Sequence, residues 1–166
     1  MIVTGDTVED FSAEDQHGRR VALSDTPQDR IVLFFYPRAD TSGCTVEACA
    51  FRDALSEIKA AGAVVLGISR DTVKAQKKFA DKFQLTYPLL ADPDETICNR
   101  FGVIRPKNMY GRLVKGIERT TYLLAAATPD GGRKVVHVWN KVKHEGHAEA
   151  VLAWIKAHPD LESSAK

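Results

Sequence analysis

The stretch Ile31-Val32-Leu33-Phe34-Phe35-Tyr36-Pro37-Arg38-Ala39-Asp40-Thr41-Ser42-Gly43-Cys44-Thr45-Val46-Glu47-Ala48-Cys49 decides how the chain is read. Its first five residues are consecutive apolar side chains, the pattern of a strand buried on both faces. A helix-forming segment runs out of it, from Thr45 to Lys59, with Phe51, Leu55 and Ile58 at helical spacing. Cys44 thus falls where a strand ends and a helix begins. Unpaired N–H groups and the positive end of the helix dipole favour an anion there, and a thiolate is such an anion. Thr41, a short turn upstream, adds a hydroxyl within reach of the sulfur or of whatever the sulfur attacks.

On the N-terminal side, Val8–Ala13 and Arg19–Leu23 flank Gln16-His17-Gly18 and predict a β-hairpin. On the C-terminal side, Ala63–Ile68 is a second buried strand, Thr72–Phe83 a helix, and Glu95–Phe101 a short helix closed by Gly102. The segment Pro106–Gly116 reads as irregular. Thr120–Ala125 and Lys134–Trp139 are strands joined by the turn Thr128-Pro129-Asp130-Gly131-Gly132, and Ala148–Ala157 is the last helix. Strand–helix–strand units followed by a hairpin and a helix predict an α/β fold: one mixed central sheet flanked by helices, with an N-terminal β-hairpin, in a single domain over residues 1–166.

Composition excludes several classes. Lysine and arginine total 23 against 22 acidic residues, so no charge excess points to nucleic acid or a membrane surface. Arg19-Arg20 and Lys77-Lys78 read as solvated faces. No apolar run reaches the roughly 20 residues of a membrane span, and the N-terminus lacks the pattern of a signal peptide. Three cysteines, an odd number, argue against a secreted disulfide scaffold and fit a reducing, cytoplasmic compartment. The Cys44/Cys49 spacing is at the limit of zinc pairs and has no matching second pair. His144 and His147 do not supply one, so neither a metal nor another cofactor is expected. His17 and His137 carry no expected catalytic role.

The run Pro37-x-x-x-Thr41-x-x-Cys44 resembles the peroxidatic signature of peroxiredoxins, and Cys44-Thr45-Val46-Glu47-Ala48-Cys49 resembles the group called bacterioferritin comigratory protein or peroxiredoxin Q. Gly67-Ile68-Ser69-Arg70-Asp71, Tyr87-Pro88-Leu89-Leu90-Ala91-Asp92, Phe101-Gly102-Val103, Glu118-Arg119-Thr120 and Gly146-His147-Ala148 look like landmarks of that family in the same order. The resemblance implies a thioredoxin-like fold and reduction of hydrogen peroxide or organic hydroperoxides by Cys44. It assigns Arg119 as the cation beside the sulfur, Thr41 as a donor to the peroxide, Pro37 as the shield of the thiol, and Cys49 as the resolving thiol. A thioredoxin-like dithiol would restore both cysteines. Cys98, in the short helix, is read as a buried thiol, with an alternative resolving role left open. No cysteine follows Cys98, so no intersubunit disulfide is required and a monomer is expected. One position departs from the pattern: Ser42 stands where relatives carry proline, leaving the loop freer and offering a possible helix cap.

Geometry adds a demand. Five residues along an ideal helix rotate by about 500° and separate their Cα atoms by about 9 Å. A disulfide needs less than about 7 Å. An intact helix cannot hold a Cys44–Cys49 bond, so its first turn and a half must unwind. Two other functions stay open at this point. A general thiol–disulfide oxidoreductase is disfavoured by the spacing, which is not C-x-x-C. A redox-switched binding or holdase protein would use the same unwinding to expose apolar surface. Glu47 either complements the helix dipole or orients a neighbour in the site.

Overall fold

The computed structural model describes residues 2–159. Strand β4 (Arg30–Phe35) is buried along its whole length and forms the middle of a six-stranded sheet of order β1-β10-β9-β4-β5-β6. It pairs in parallel with β5 (Ala63–Ser69) and antiparallel with β9 (Thr120–Leu124). β6 (Leu89–Ala91) extends the parallel side; β10 (Arg133–Trp139) and β1 (Thr7–Val8) extend the antiparallel side. The sheet is mixed, as expected.

Helices α1 (Ser42–Ala60) and α2 (Val73–Phe83) are the crossovers of β4 to β5 and β5 to β6. Parallel crossovers are right-handed, and two that step in the same direction land on the same face. α4 (His147–Ala157) joins them there by packing on α1. The other face carries α3 (Thr96–Phe101) and the hairpin of β2 (Ser12–Glu14) with β3 (Arg20–Ala22).

Alternation along β4 feeds two separate cores. Ile31, Leu33 and Phe35 meet Leu66, Ile68, Phe101 and Tyr122 on the α3 side. Val32, Phe34 and Tyr36 meet Cys44, Phe51, Phe79 and Val151 on the α1 side. Phe34 stacks on Phe51 with centroids 4.7 Å apart, which seats α1 on the sheet. Gly67, opposite Phe34 in the register, makes room for that ring: a Cβ there would lie 2.9 Å from Phe34 Cζ.

The structure corrects the expected elements at four places. Val8 lies outside the N-terminal hairpin and pairs in the main sheet opposite Arg133. Residues 106–116 are not irregular: β7 (Ile104–Met109) and β8 (Arg112–Ile117) form a two-stranded ribbon with Pro106 inside it. A proline is tolerated there because the ribbon has only two strands, both of them edges. Its turn is Tyr110-Gly111, both at positive φ (54° and 78°), the backbone of a two-residue hairpin without the usual asparagine. α1 begins at Ser42, three residues before the expected start, and its N-cap is Thr41 rather than Ser42. The last helix begins at His147. No helix of the described residues is long and apolar enough to cross a membrane.

Candidate active site

The chain leaves β4 at Tyr36, whose N–H still bonds Ile68 O at 3.0 Å, and turns through Pro37–Asp40 into α1. Pro37 is half-buried in this loop. Asp71 pins the loop from the end of β5: its Oδ2 accepts the Ala39 N–H at 2.8 Å and the Ser69 hydroxyl at 2.6 Å. Asp40 takes a positive φ of 62°, which reverses the chain just before the helix.

Thr41 is extended (φ −87°, ψ 158°), and its carbonyl accepts the first helical bond, from Thr45 N at 2.9 Å. Its hydroxyl donates to Arg38 O at 3.0 Å. In this arrangement Thr41 Oγ1 offers the site a lone pair, where the sequence suggested a proton. Cys44 is the third residue of α1, inside the first turn, and only 1% exposed.

Arg119 lies just past the end of β8 and bridges two groups of α1. Its Nη2 donates to Cys44 Sγ at 3.5 Å, and its Nη1 donates to Glu47 Oε1 at 2.7 Å. The fork geometry of a guanidinium allows both at once. This answers the open reading of Glu47: it orients Arg119. Glu47 is fully buried, and its Oε2 has no hydrogen-bond partner among the described residues. Burial pushes this carboxyl up to about 7, against the downward pull of Arg119. For Arg119, burial works against the charge, but the Glu47 and Cys44 charges outweigh it.

Behind the pair, His147 Nε2 meets Thr121 Oγ1 at 2.7 Å. Burial, and then the Arg119 charge, push His147 down to about 4, so it is neutral at ordinary pH. Cys49 is half-buried and packs against the α1-side core, on the flank that carries Tyr87 and Arg52. Tyr87 donates its hydroxyl to Ala48 O at 2.7 Å and holds the second turn of α1. All three cysteines are free thiols. Cys98 is fully buried in the opposite core, across the sheet from Cys44.

The geometry brings Cys44, Arg119 and Thr41 to one end of α1 and sets Pro37 in the adjoining loop. Sequence reasoning weighed His144 only as a metal ligand and did not place it beside the first turn of α1. A Cβ on Gly43 would lie 2.9 Å from His144 Nδ1 and 3.2 Å from Arg119 Nη2, so any larger residue there would displace one or both side chains. The only signal was its position just ahead of the last helix, three residues before His147.

A thioredoxin-like sheet that delivers a buried cysteine to the first turn of a helix, with an arginine on the sulfur, defines a thiol-reactive site of the peroxiredoxin kind. The chain belongs to the AhpC/TSA family, whose profile matches residues 4–128. Within it the chain is a peroxiredoxin of the Bcp or PrxQ group, a thiol peroxidase. It is 42% identical over 154 residues to Peroxiredoxin Bcp of Escherichia coli, covering 93% of this chain and 96% of that one. It is 50% identical over 128 residues to Peroxiredoxin Bcp of Xanthomonas campestris, covering 77% of each. A cysteine-to-serine variant of PrxQ from Xylella fastidiosa superposes with a TM-score of 0.86 at 38% identity, over 95% of this chain and 97% of that one.

Proposed function

We propose that this protein reduces hydrogen peroxide and organic hydroperoxides through Cys44, with Cys49 as the resolving thiol and a thioredoxin-like dithiol as reductant. The observation that carries the reading is the Arg119 Nη2 contact on Cys44 Sγ at 3.5 Å in the first turn of α1. The thiolate attacks the nearer peroxide oxygen. An S–O bond forms, the O–O bond breaks, and the distal oxygen leaves with the electron pair. Arg119 and the backbone N–H groups at the start of α1 stabilise the developing charge. Thr41 Oγ1 accepts a hydrogen bond from the hydroperoxide O–H and so aligns the substrate, while Pro37 keeps water from the sulfur. The product is a sulfenic acid at Cys44. The Cys49 thiol condenses with it, releasing water and forming the Cys44–Cys49 disulfide. The dithiol reductant then restores both thiols and is itself oxidised. Support for organic substrates comes from the Xanthomonas campestris bacterioferritin comigratory protein, known for alkyl peroxide reduction and structurally similar to this chain (TM-score 0.80, 43% identity). One domain acting as a cytoplasmic monomer suffices for every step.

The test is peroxide consumption with the dithiol reductant, compared with Cys44→Ser and Cys49→Ser. Cys44→Ser is expected to abolish turnover. Cys49→Ser is expected to keep the first oxidation and lose recycling by the dithiol. Turnover that survives Cys44→Ser would overturn the reading.

A further inference from the structure

His144 belongs to the arc between β10 and α4. That arc is tied to the site at both ends: Val142 N donates to Arg119 O at 2.9 Å, and His147 meets Thr121 on β9. Between these ties the His144 ring lies against Gly43, so that its Nδ1 and Arg119 Nη2 crowd the same point beside the first turn of α1. The far nitrogen, Nε2, is 3.4 Å from Glu145 Oε1. The imidazole thus has an exposed carboxylate beside one nitrogen, while its other nitrogen lies over Gly43 beside Arg119 Nη2. Its side chain is 38% exposed, so it can exchange protons with water.

Breaking an O–O bond expels an alkoxide or hydroxide, a strong base that needs a proton. The other polar groups of the site are poorly suited to supply it. Arg119 is too weak an acid to give up its proton. The Thr41 hydroxyl proton is directed to Arg38 O. Glu47 is fully buried, with its Oε1 on Arg119.

We propose that His144 is the general acid that protonates the leaving oxygen of the hydroperoxide, with Glu145 as its positioning residue. The step balances. The Cys44 thiolate attacks the near oxygen, the S–O bond forms as O–O breaks, and the departing RO⁻ takes the Nδ1 proton of His144 to become ROH. Cys44 is oxidised to the sulfenic acid, the peroxide is reduced, and His144 recovers its proton from water. The proposal rests on the peroxidase reading of Cys44.

Two peroxides with opposite demands separate this role from a structural one. tert-Butyl hydroperoxide expels a strongly basic alkoxide; peracetic acid expels acetate, which needs no proton to leave. Single-turnover oxidation of the full-length protein is followed by mass spectrometry of quenched samples. His144→Gln is expected to slow tert-butyl hydroperoxide by about 10²-fold, the scale of a positioned acid, and peracetic acid by less than about threefold. Glu145→Gln is expected to show the same selectivity with a loss of roughly three- to tenfold. An equal loss with both peroxides, or no loss with tert-butyl hydroperoxide, would overturn the assignment. A wild-type protein whose Cys44 is oxidised by neither peroxide would instead overturn the peroxidase reading.

Discussion

Arg119 contacts Cys44 and Glu47 from one guanidinium, and the consequence at the scale of single residues is that Glu47 carries the cost. Its carboxyl is fully buried, with one oxygen on Arg119 and the other without a partner among the described residues. Burial raises it from 4.5 to about 7. Between those values the folded protein holds more protons than the unfolded chain. The stabilisation is therefore complete below pH 4.5 and is lost as pH rises through 7, by about 3 kcal/mol if Glu47 acts alone. Glu47→Gln keeps the acceptor for Arg119 and removes the ionisation. Urea unfolding between pH 5 and 8 should show wild-type stability falling with pH and the variant's falling less by that amount. Equal slopes would show that the Arg119 charge fully compensates the buried carboxylate. The pairing itself was only half legible in the sequence. Glu47 lies three residues beyond Cys44 on a helix, so its closeness to the sulfur could be read. Arg119 lies 72 residues away, and only the family resemblance brought it to the site.

At the scale of elements, the proposed mechanism asks two things of α1: intact, it presents Cys44 to Arg119, and undone, it would let Cys49 reach Cys44. The continuous helix from Ser42 to Ala60 makes that conflict concrete. Oxidation should remove amide-exchange protection across residues 45–51; unchanged protection would exclude the Cys44–Cys49 bond. Two substitutions should move this transition in opposite directions. Ser42 is the first helical residue, where proline is favoured, and Thr41 before it is already extended at ψ 158°. Ser42→Pro should therefore stabilise the folded start of α1 by about 0.4–1 kcal/mol and slow disulfide formation by roughly two- to fivefold. Tyr87→Phe removes the hydroxyl bond to Ala48 O and should speed it by up to about fivefold, for a bond worth about 1 kcal/mol. Quenched-flow trapping of the sulfenic acid measures both. Most elements were legible because their apolar period was strong, β4 and α1 above all. The β7–β8 ribbon was not, since Leu113 and Val114 are exposed and no buried face leaves a pattern. The start of α1 was misread because its first turn is polar and its cap hydroxyl turns back to Arg38.

At the scale of the molecule, the sheet is a partition. β4 sends alternate side chains to two cores that do not mix, and the three cysteines are divided between them. Cys44 and Cys49 share the α1 side, so the proposed bond between them calls for unwinding of α1 and for no passage through the sheet. Cys98 lies in the α3 core at 0% exposure, its backbone N–H bonded to Asp92 Oδ2 at 2.8 Å. Burial first, and then Asp92, push its thiol up, which leaves it protonated and unreactive. For Cys98 to resolve Cys44, one of them would have to cross a layer of fully buried strands. This arrangement was invisible in the sequence, because which face a helix covers depends on crossover direction and not on its own pattern. Cys98→Ala should cost about 1–3 kcal/mol of stability through the cavity it leaves. It should leave peroxide turnover, and the Cys44–Cys49 disulfide found by peptide mapping, unchanged. A mixed disulfide containing Cys98 in oxidised wild-type protein would mean that the partition opens, and that local unwinding of α1 is not the whole of the transition.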